Sequence, residues 1–308
     1  MSAAVSKSPF ATARIVASDI KLAHSVFAMP FAILAAVMAA RPSEAAIDWR
    51  KFVGQLALIV AAMVLARTVA MLANRLLDRR IDRANPRTAQ RAIPSGRLSA
   101  GTALAVLAAC AGGFVLICAG FGVLYANWWP AILALPVLGW ISAYPLLKRF
   151  TWLSHLYLGS SLAISPLAAA LAIEPLALTT QPALWLLAGM VLCWVSGFDI
   201  IYALQDVNID QQQGLSSIPA RFGRSGALSI SRALHVLCVA CLVAALAMDA
   251  RLRVVFAGGV LMVAILLLYE HLTVARWGTS KVALAFFTLN GVISCVLGAL
   301  GIVDILTA

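Results

Sequence analysis

The chain has 308 residues, of which 63% are hydrophobic and 11% are charged, and its mean hydropathy is +0.96. A soluble domain carries roughly 45–50% apolar and about 25% charged residues, so this composition excludes a soluble globular protein. The formal net charge of +11 would suit nucleic-acid binding in a soluble chain, but in a membrane protein it fits basic cytoplasmic loops.

Apolar runs of roughly 20 residues follow one another along the chain, and each is long enough to cross a bilayer as an α-helix. The predicted spans cover residues 19–40, 52–77, 99–121, 127–146, 153–173, 183–206, 231–248, 253–274 and 283–304. We therefore expect an all-α, polytopic membrane bundle of about nine transmembrane helices. No low-complexity linker interrupts the sequence, so residues 1–308 are expected to form one domain.

The basic residues are unevenly distributed over the loops between these spans. Most lie in the N-terminal arm and in the alternate loops that share its side of the membrane, above all in residues 75–97 and 221–232. Lys and Arg accumulate in cytoplasmic loops, so the N-terminus and these loops are expected to face the cytoplasm. We accordingly expect a multi-pass protein of the cytoplasmic (inner) membrane.

Five of the twelve acidic residues cluster at the cytoplasmic ends of the second and sixth predicted spans. The first stretch reads NRLLDRRID and the second reads DIIYALQDVNID. Their polar positions recur about every four residues: Asn74, Asp78 and Asp82 in the first stretch, and Asp199, Tyr202, Asp206 and Asp210 in the second. Residues four apart in an α-helix are offset by only about 40°, so each stretch is expected to form one polar stripe on one helix face.

Carboxylates at this membrane depth indicate a bound cation. A charged side chain near the hydrocarbon boundary is costly unless it faces a cavity or a counter-ion. Oxygen ligands on two facing helices suit Mg²⁺, which takes one or two carboxylates and completes its shell with water and substrate phosphate. The sequence therefore predicts a site for a Mg²⁺-phosphate or a Mg²⁺-diphosphate.

Each acidic stretch is followed by a polar loop that carries arginines. The first loop supplies Arg87 and Arg91, and the second supplies Arg221. The guanidinium fork matches phosphate oxygens, so these arginines are candidate diphosphate ligands. Arg67 differs because it lies within the second span, seven residues before Asn74 and on the same helix face. A guanidinium group buried in a span needs an anion nearby. For Arg67 this anion could be a carboxylate of the polar stripe, or it could be a carboxylate or phosphate group of the substrate.

Both acidic stretches resemble the motifs of the UbiA-type membrane prenyltransferases. The NxxxDxxxD motif of that family stands here as Asn74, Asp78 and Asp82, and its DxxYxxxDxxxD motif as Asp199, Tyr202, Asp206 and Asp210. The segment YPLLKRFTWLSHLYLG, residues 144–159, is also similar to members of the family in quinone pathways. The resemblance runs from about residue 24 to residue 223, in the same order along the chain.

The resemblance implies an active site near the cytoplasmic side and Mg²⁺-dependent transfer of a polyprenyl group from its diphosphate to a small aromatic acceptor. The quinone branch implies a 4-hydroxybenzoate polyprenyltransferase of ubiquinone biosynthesis, with a dihydroxynaphthoate of menaquinone biosynthesis as the alternative acceptor. No nucleic acid and no obligatory protein partner are expected. A divalent-cation transporter is a distant alternative, disfavoured because its acids should lie near the bilayer midplane.

The resemblance and the residue chemistry together assign roles to the candidate residues. The expected metal ligands are Asn74, Asp78, Asp82, Asp206 and Asp210. The expected substrate-binding residues are Arg67, Arg87, Arg91, Lys148 and Arg221. Asp199 is expected to orient or deprotonate the acceptor because it lies deeper than the other acids, and Tyr202 is expected to stabilise an allylic cation through its ring.

Overall fold

The computed structural model describes residues 9–19, 27–42, 46–278 and 288–308. Within these ranges the regular secondary structure is helical, and no β-strand is present. The helices are α1 Pro9–Asp19, α2 Met29–Ala40, α3 Trp49–Leu77, α4 Arg79–Ala84, α5 Ala100–Tyr125, α6 Trp129–Leu147, α7 Ser154–Ile173, α8 Ala177–Thr180, α9 Ala183–Ala203, α10 Val207–Gln212, α11 Ile218–Met248, α12 Val254–Trp277 and α13 Asn290–Thr307.

Eight helices of the described ranges are long and apolar enough to cross a membrane, namely α3, α5, α6, α7, α9, α11, α12 and α13. Together with the short apolar α2 they confirm the all-α membrane bundle. The predicted span 19–40 is only partly matched, since α2 has 12 residues and residues 20–26 lie outside the described ranges. The start of the predicted span 283–304 also lies outside them.

Helix α9 is the most deeply buried long helix, and it packs against both α7 and α11. Trp194 of α9 is fully buried. Its ring meets Phe27, Phe31 and Phe198 edge to face, with ring centroids 5.1 to 6.5 Å apart. Aromatic rings favour this arrangement because the positive edge of one ring meets the negative face of the other. These contacts hold in place the helix whose end carries the second acidic motif.

Helices α3 and α9 finish at the same end of the bundle, which we call the polar end. The short helices α4 and α10 follow them there, and loops 85–99 and 213–217 lead onward. The Ser99 and Ser217 hydroxyls accept hydrogen bonds from the main-chain N–H groups of Thr102 and Ala220, which caps α5 and α11. Helix α11 bends at Gly223, where φ is 66°. Residues 207–230, which lie between the predicted spans 183–206 and 231–248, are thus mostly helical.

Candidate active site

The two carboxylates that close the first motif are paired with bases. Asp78 Oδ2 lies 2.5 Å from the Lys148 ammonium nitrogen, and Arg149 Nη2 lies 3.5 Å from Asp78 Oδ1. Asp82 Oδ1 lies 2.7 Å from Arg91 Nη1. Both carboxylates are almost fully buried, so the bases supply the charge compensation that burial requires.

Asp206 joins the second motif to loop 85–99. Arg87 donates Nε and Nη2 to the two Asp206 oxygens at 3.0 and 2.5 Å, and the Asn85 amide donates to Oδ1 at 3.4 Å. Arg87 also donates to the Tyr202 hydroxyl at 3.0 Å, and its guanidinium carbon lies 5.4 Å from the centre of that ring. Burial works to lower the pKa of Arg87, but the hydrogen bond and the charge of Asp206 outweigh it, so that pKa is raised.

Asp210, the last acidic residue of the second motif, lies close enough to Asp206 and Lys148 to interact with their charges. Its carboxylate accepts a hydrogen bond from the Ser217 hydroxyl at 2.9 Å. Burial raises the pKa of Asp210, and the charge of Asp206 adds to this against the opposing effects of Ser217 and Lys148. The Lys148 carbonyl accepts a hydrogen bond from the Ser216 N–H at 2.6 Å. Lys148 therefore links the end of α6 to both motifs.

The expectation of one continuous polar stripe for each motif is wrong. Helix α3 ends at Leu77, and Asp78 (φ −92°, ψ 6°) separates it from α4, which carries Asp82. Helix α9 ends at Ala203, and the N–H groups of residues 204–206 then bond to carbonyls three residues earlier. Such bonds tighten the turn and rotate the following residues away from their α-helical positions. Each motif therefore begins in the last turns of a long helix and continues past its end into the following short helix.

An apolar cavity of about 470 Å³ lies within the bundle, walled mainly by α3, α5, α6 and α7. Two serines line it, but the Ser161 and Ser165 hydroxyls bond to carbonyls of their own helix. The other polar side chains in its wall are Arg67 and Tyr144. The Tyr144 hydroxyl accepts a hydrogen bond from the Asn74 amide. The cavity therefore borders the first motif at the polar end.

Arg67 brings a positive charge to this apolar cavity. Its Nε atom is buried without a hydrogen-bond partner among the described residues. The carboxylates of Asp78, Asp82 and Asp206 are paired with other bases, and Arg67 forms no ion pair within the described ranges. The alternative in which a stripe carboxylate neutralises Arg67 is therefore wrong. A buried N–H donor without an acceptor is costly, so Arg67 is prepared for an anion that enters the cavity.

Sequence reasoning missed three polar residues that support the site: Asp19, Tyr144 and His155. The Asp19 carboxylate accepts hydrogen bonds from Arg75 Nε at 3.1 Å and from the Ala92 N–H at 2.6 Å, so α1 is tied to α3 and to loop 85–99. His155 Nδ1 lies 2.7 Å from Asp199 Oδ2. Tyr144 and His155 lie in the segment 144–159 that resembles quinone-pathway members, but that resemblance gave neither residue a role, and a polar side chain next to or within an apolar run does not reveal its partner.

Arg221 is not brought into this group of charges. Its guanidinium carbon lies 5.6 Å from the centre of the Trp152 indole and 5.5 Å from the centre of the Phe222 ring. Arg221 is exposed, and its contacts are those of a cation on aromatic faces. A role for Arg221 in diphosphate binding therefore stays a prediction.

The donor set at the polar end suits a hard cation such as Mg²⁺. Asp82 Oδ2 is buried and has no hydrogen-bond partner in the described part of the chain, and such an oxygen needs a cation or a donor. Over the same residues, no group of three or more His, Cys, Asp or Glu side chains is arranged to hold an ion by itself. The site therefore fits an ion that takes one or two carboxylates and completes its shell with water and phosphate.

The helices and the cavity define an integral membrane protein with a polar site beside an apolar chamber. The family model described as the UbiA prenyltransferase family matches residues 28–299. The chain therefore belongs to the UbiA prenyltransferase family, which confirms the resemblance carried by the two motifs.

Known relatives extend the comparison. The 4-hydroxybenzoate octaprenyltransferase of Serratia proteamaculans (strain 568) is 34% identical over 171 residues, which are 55% of this chain and 56% of that protein. The matched part thus spans little more than half the length of this relative. The apo structure of a UbiA homolog from Aeropyrum pernix K1 has a TM-score of 0.80 at 30% identity, over 92% of this chain and 98% of that one.

A second solved structure shows likeness of fold. It is a UbiA homolog from Archaeoglobus fulgidus bound to GPP and Mg²⁺, with a TM-score of 0.67 at 18% identity. The comparison covers 94% of this chain and 99% of that one. The fold is therefore shared over nearly the whole length of both chains.

Proposed function

We propose that this protein transfers a polyprenyl group from its diphosphate to an aromatic acceptor of the 4-hydroxybenzoate type, with Mg²⁺ as cofactor. One observation carries the proposal: paired carboxylates and bases border an apolar cavity that contains an unpaired guanidinium group. A polyprenyl diphosphate has the same division into a charged head and an apolar tail. The name of the Serratia relative and the ligands of the Archaeoglobus homolog are consistent with this function.

The proposed ligands of the diphosphate head are Arg87, Arg91 and Lys148. Each base is paired with a carboxylate and can exchange that carboxylate for a phosphate oxygen. The carboxylates released in this exchange become available to the metal. The proposed metal-binding residues are Asn74, Asp78, Asp82, Asp206 and Asp210. Bound Mg²⁺ would supply the positive charge that stabilises the departing diphosphate.

The acceptor is proposed to lie between Arg67 and Asp199, with its carboxylate on Arg67. The allylic C–O bond breaks, and its electron pair leaves with the diphosphate. The ring carbon next to the phenolic hydroxyl then bonds to the allylic carbon, while the Tyr202 ring and the apolar walls shield the cation from water. Asp199 takes the proton that this ring carbon loses, and the electrons of the broken C–H bond restore the aromatic ring.

Transfer assays with purified protein test the proposal. Wild-type protein supplied with Mg²⁺ and a polyprenyl diphosphate should prenylate 4-hydroxybenzoate, with a dihydroxynaphthoate assayed in parallel as the alternative acceptor. Asp78→Asn and Asp206→Asn should each abolish transfer because they remove a carboxylate charge from the metal site. Asp48→Asn is the control, since it removes an exposed carboxylate at the opposite end of α3 and can still cap that helix. Full activity in either site variant would contradict the metal assignment.

We infer that the polar end faces the cytoplasm and that the protein lies in the inner membrane. Arg79, Arg80 and Arg83 are exposed around the polar end, as expected for cytoplasmic loops. A single cysteine introduced at position 80 of a cysteine-free variant should react with an impermeant maleimide only after the cells are opened. Labelling in intact cells would reverse the orientation.

A further inference from the structure

Asp199 and His155 form a buried pair beneath the polar end. His155 begins the first turn of α7 and is almost fully buried, whereas the Asp199 side chain is 23% exposed. His155 Nδ1 lies 2.7 Å from Asp199 Oδ2, within the range of a charge-assisted hydrogen bond. Asp199 also lies close enough to Tyr144, in the cavity wall, for the two groups to interact electrostatically. The pair is therefore next to the chamber proposed for the acceptor.

The other ring nitrogen identifies which tautomer His155 adopts. Nε2 is buried and has no hydrogen-bond partner among the residues that the structure describes. A proton on Nε2 would bury an N–H donor without an acceptor, which is more costly than burying an unused lone pair. The proton of the neutral ring is therefore on Nδ1. His155 then donates a hydrogen bond to Asp199 Oδ2.

We propose that His155 is a positioning residue for Asp199 and that it sets the efficiency with which Asp199 takes the ring proton of the acceptor. This inference rests on the proposed function. The Nδ1–H group holds Oδ2 in place, and Oδ1, which accepts no hydrogen bond from the residues that the structure describes, stays available to the acceptor. His155 itself is too deeply buried to touch the acceptor, and it acts through the orientation of Asp199.

A matched pair of variants separates the hydrogen bond from the packing of the ring. Asn and Leu side chains have nearly the same shape, and both substitutions remove the outer atoms of the His155 imidazole ring. They differ because the Asn amide nitrogen lies near the position of Nδ1 and can donate a hydrogen bond to Asp199, which Leu cannot do. We expect His155→Leu to lower kcat by about 10- to 100-fold, and His155→Asn to stay within about fivefold of the wild type. The KM of the polyprenyl diphosphate should be nearly unchanged in both, since neither variant touches the diphosphate ligands.

An acceptor deuterated at both ring carbons next to its hydroxyl reports the proton-transfer step directly. If loss of the ring proton becomes rate-limiting in His155→Leu, this variant should show an isotope effect on kcat above about 2, while the wild type and His155→Asn stay near 1. A merely structural role would slow the enzyme without an isotope effect. Size-exclusion profiles and thermal unfolding in detergent confirm that both variants are folded.

Three results would overturn the inference: His155→Leu as active as the wild type, His155→Asn as slow as His155→Leu, or a slowed His155→Leu without an isotope effect. Failure of the proposed function would look different, because wild-type protein would then transfer no prenyl group to any acceptor offered. The wild-type assay therefore distinguishes the two failures.

Discussion

Arg67 contributes the unpaired guanidinium group of the cavity, so its replacement tests acceptor binding directly. We predict that Arg67→Ala raises the KM of the acceptor by about 100-fold or more. The reason is that the carboxylate of the acceptor loses its charge-assisted hydrogen bonds to the Arg67 guanidinium group. The KM of the polyprenyl diphosphate should change by less than about threefold. Steady-state kinetics with each substrate varied in turn measures both constants.

Arg67→Lys is the matched control for this prediction. It retains the positive charge but lacks the planar fork that binds both carboxylate oxygens. Its acceptor KM should lie between those of the wild type and Arg67→Ala. If Arg67→Ala instead raises the KM of the diphosphate more than that of the acceptor, Arg67 belongs to the phosphate site.

Residue spacing was enough to single out the two acidic motifs, but it gave no information on the partners of their side chains. The polar positions of each motif recur within one short segment, and local periodicity reveals such a pattern. By contrast, Arg87 and Asp206 are 119 residues apart in sequence, and His155 and Asp199 are 44 apart. Contacts between distant segments depend on how helices pack, about which local periodicity carries no information.

At the scale of elements, the contact between α9 and α11 depends on a glycine. A Cβ atom at Gly197 would lie 2.3 Å from the His235 ring. We predict that Gly197→Ala destabilises the protein by about 1–3 kcal/mol, because the crowded helices must move apart. Thermal unfolding in detergent measures the change.

Gly139→Ala in α6 is the control, since a Cβ atom there meets no other atom within 4 Å. This substitution should leave stability unchanged or raise it slightly, because alanine favours the helix. Equal unfolding temperatures for Gly197→Ala and Gly139→Ala would show that the α9–α11 contact tolerates the additional methyl group.

Helix α1 stabilises loop 85–99 through the Asp19 carboxylate. We predict that Asp19→Ala speeds amide hydrogen exchange in this loop by about tenfold or more, because Arg75 and the Ala92 N–H lose their buried partner. Arg14→Ala, an exposed substitution on the same helix, should leave exchange in the loop unchanged. Unaltered exchange in Asp19→Ala would show that α1 does not restrain the loop.

The apolar runs predicted the long helices well, but they did not predict where those helices break. A run of about 20 apolar residues reports the length of a span, because burying its backbone in lipid requires a helix. The interruptions at Asp78 and at residues 204–206 are changes in main-chain hydrogen bonding over one or a few residues. Hydropathy averaged over a whole span is insensitive to such short changes.

At the scale of the whole molecule, the ion pairs of the polar end lead us to expect a fold that does not depend on bound metal. We predict that a chelator abolishes transfer but shifts the thermal unfolding midpoint by less than about 3 °C, because three bases already compensate motif carboxylates. Mg²⁺ and a polyprenyl diphosphate together should raise the midpoint more than the sum of their separate effects. Unfolding on chelation would indicate a structural metal instead.

Under the proposed function, the same ion pairs bear on how the protein would return to its starting state after each turnover. When the diphosphate and its metal depart together, the three bases can rejoin their carboxylates. These three carboxylates would then be neutralised without drawing protons or salt from water, so none of the three would remain uncompensated beside the hydrocarbon. Under the proposed function, recovery between turnovers would need only a rearrangement of side chains within the polar end.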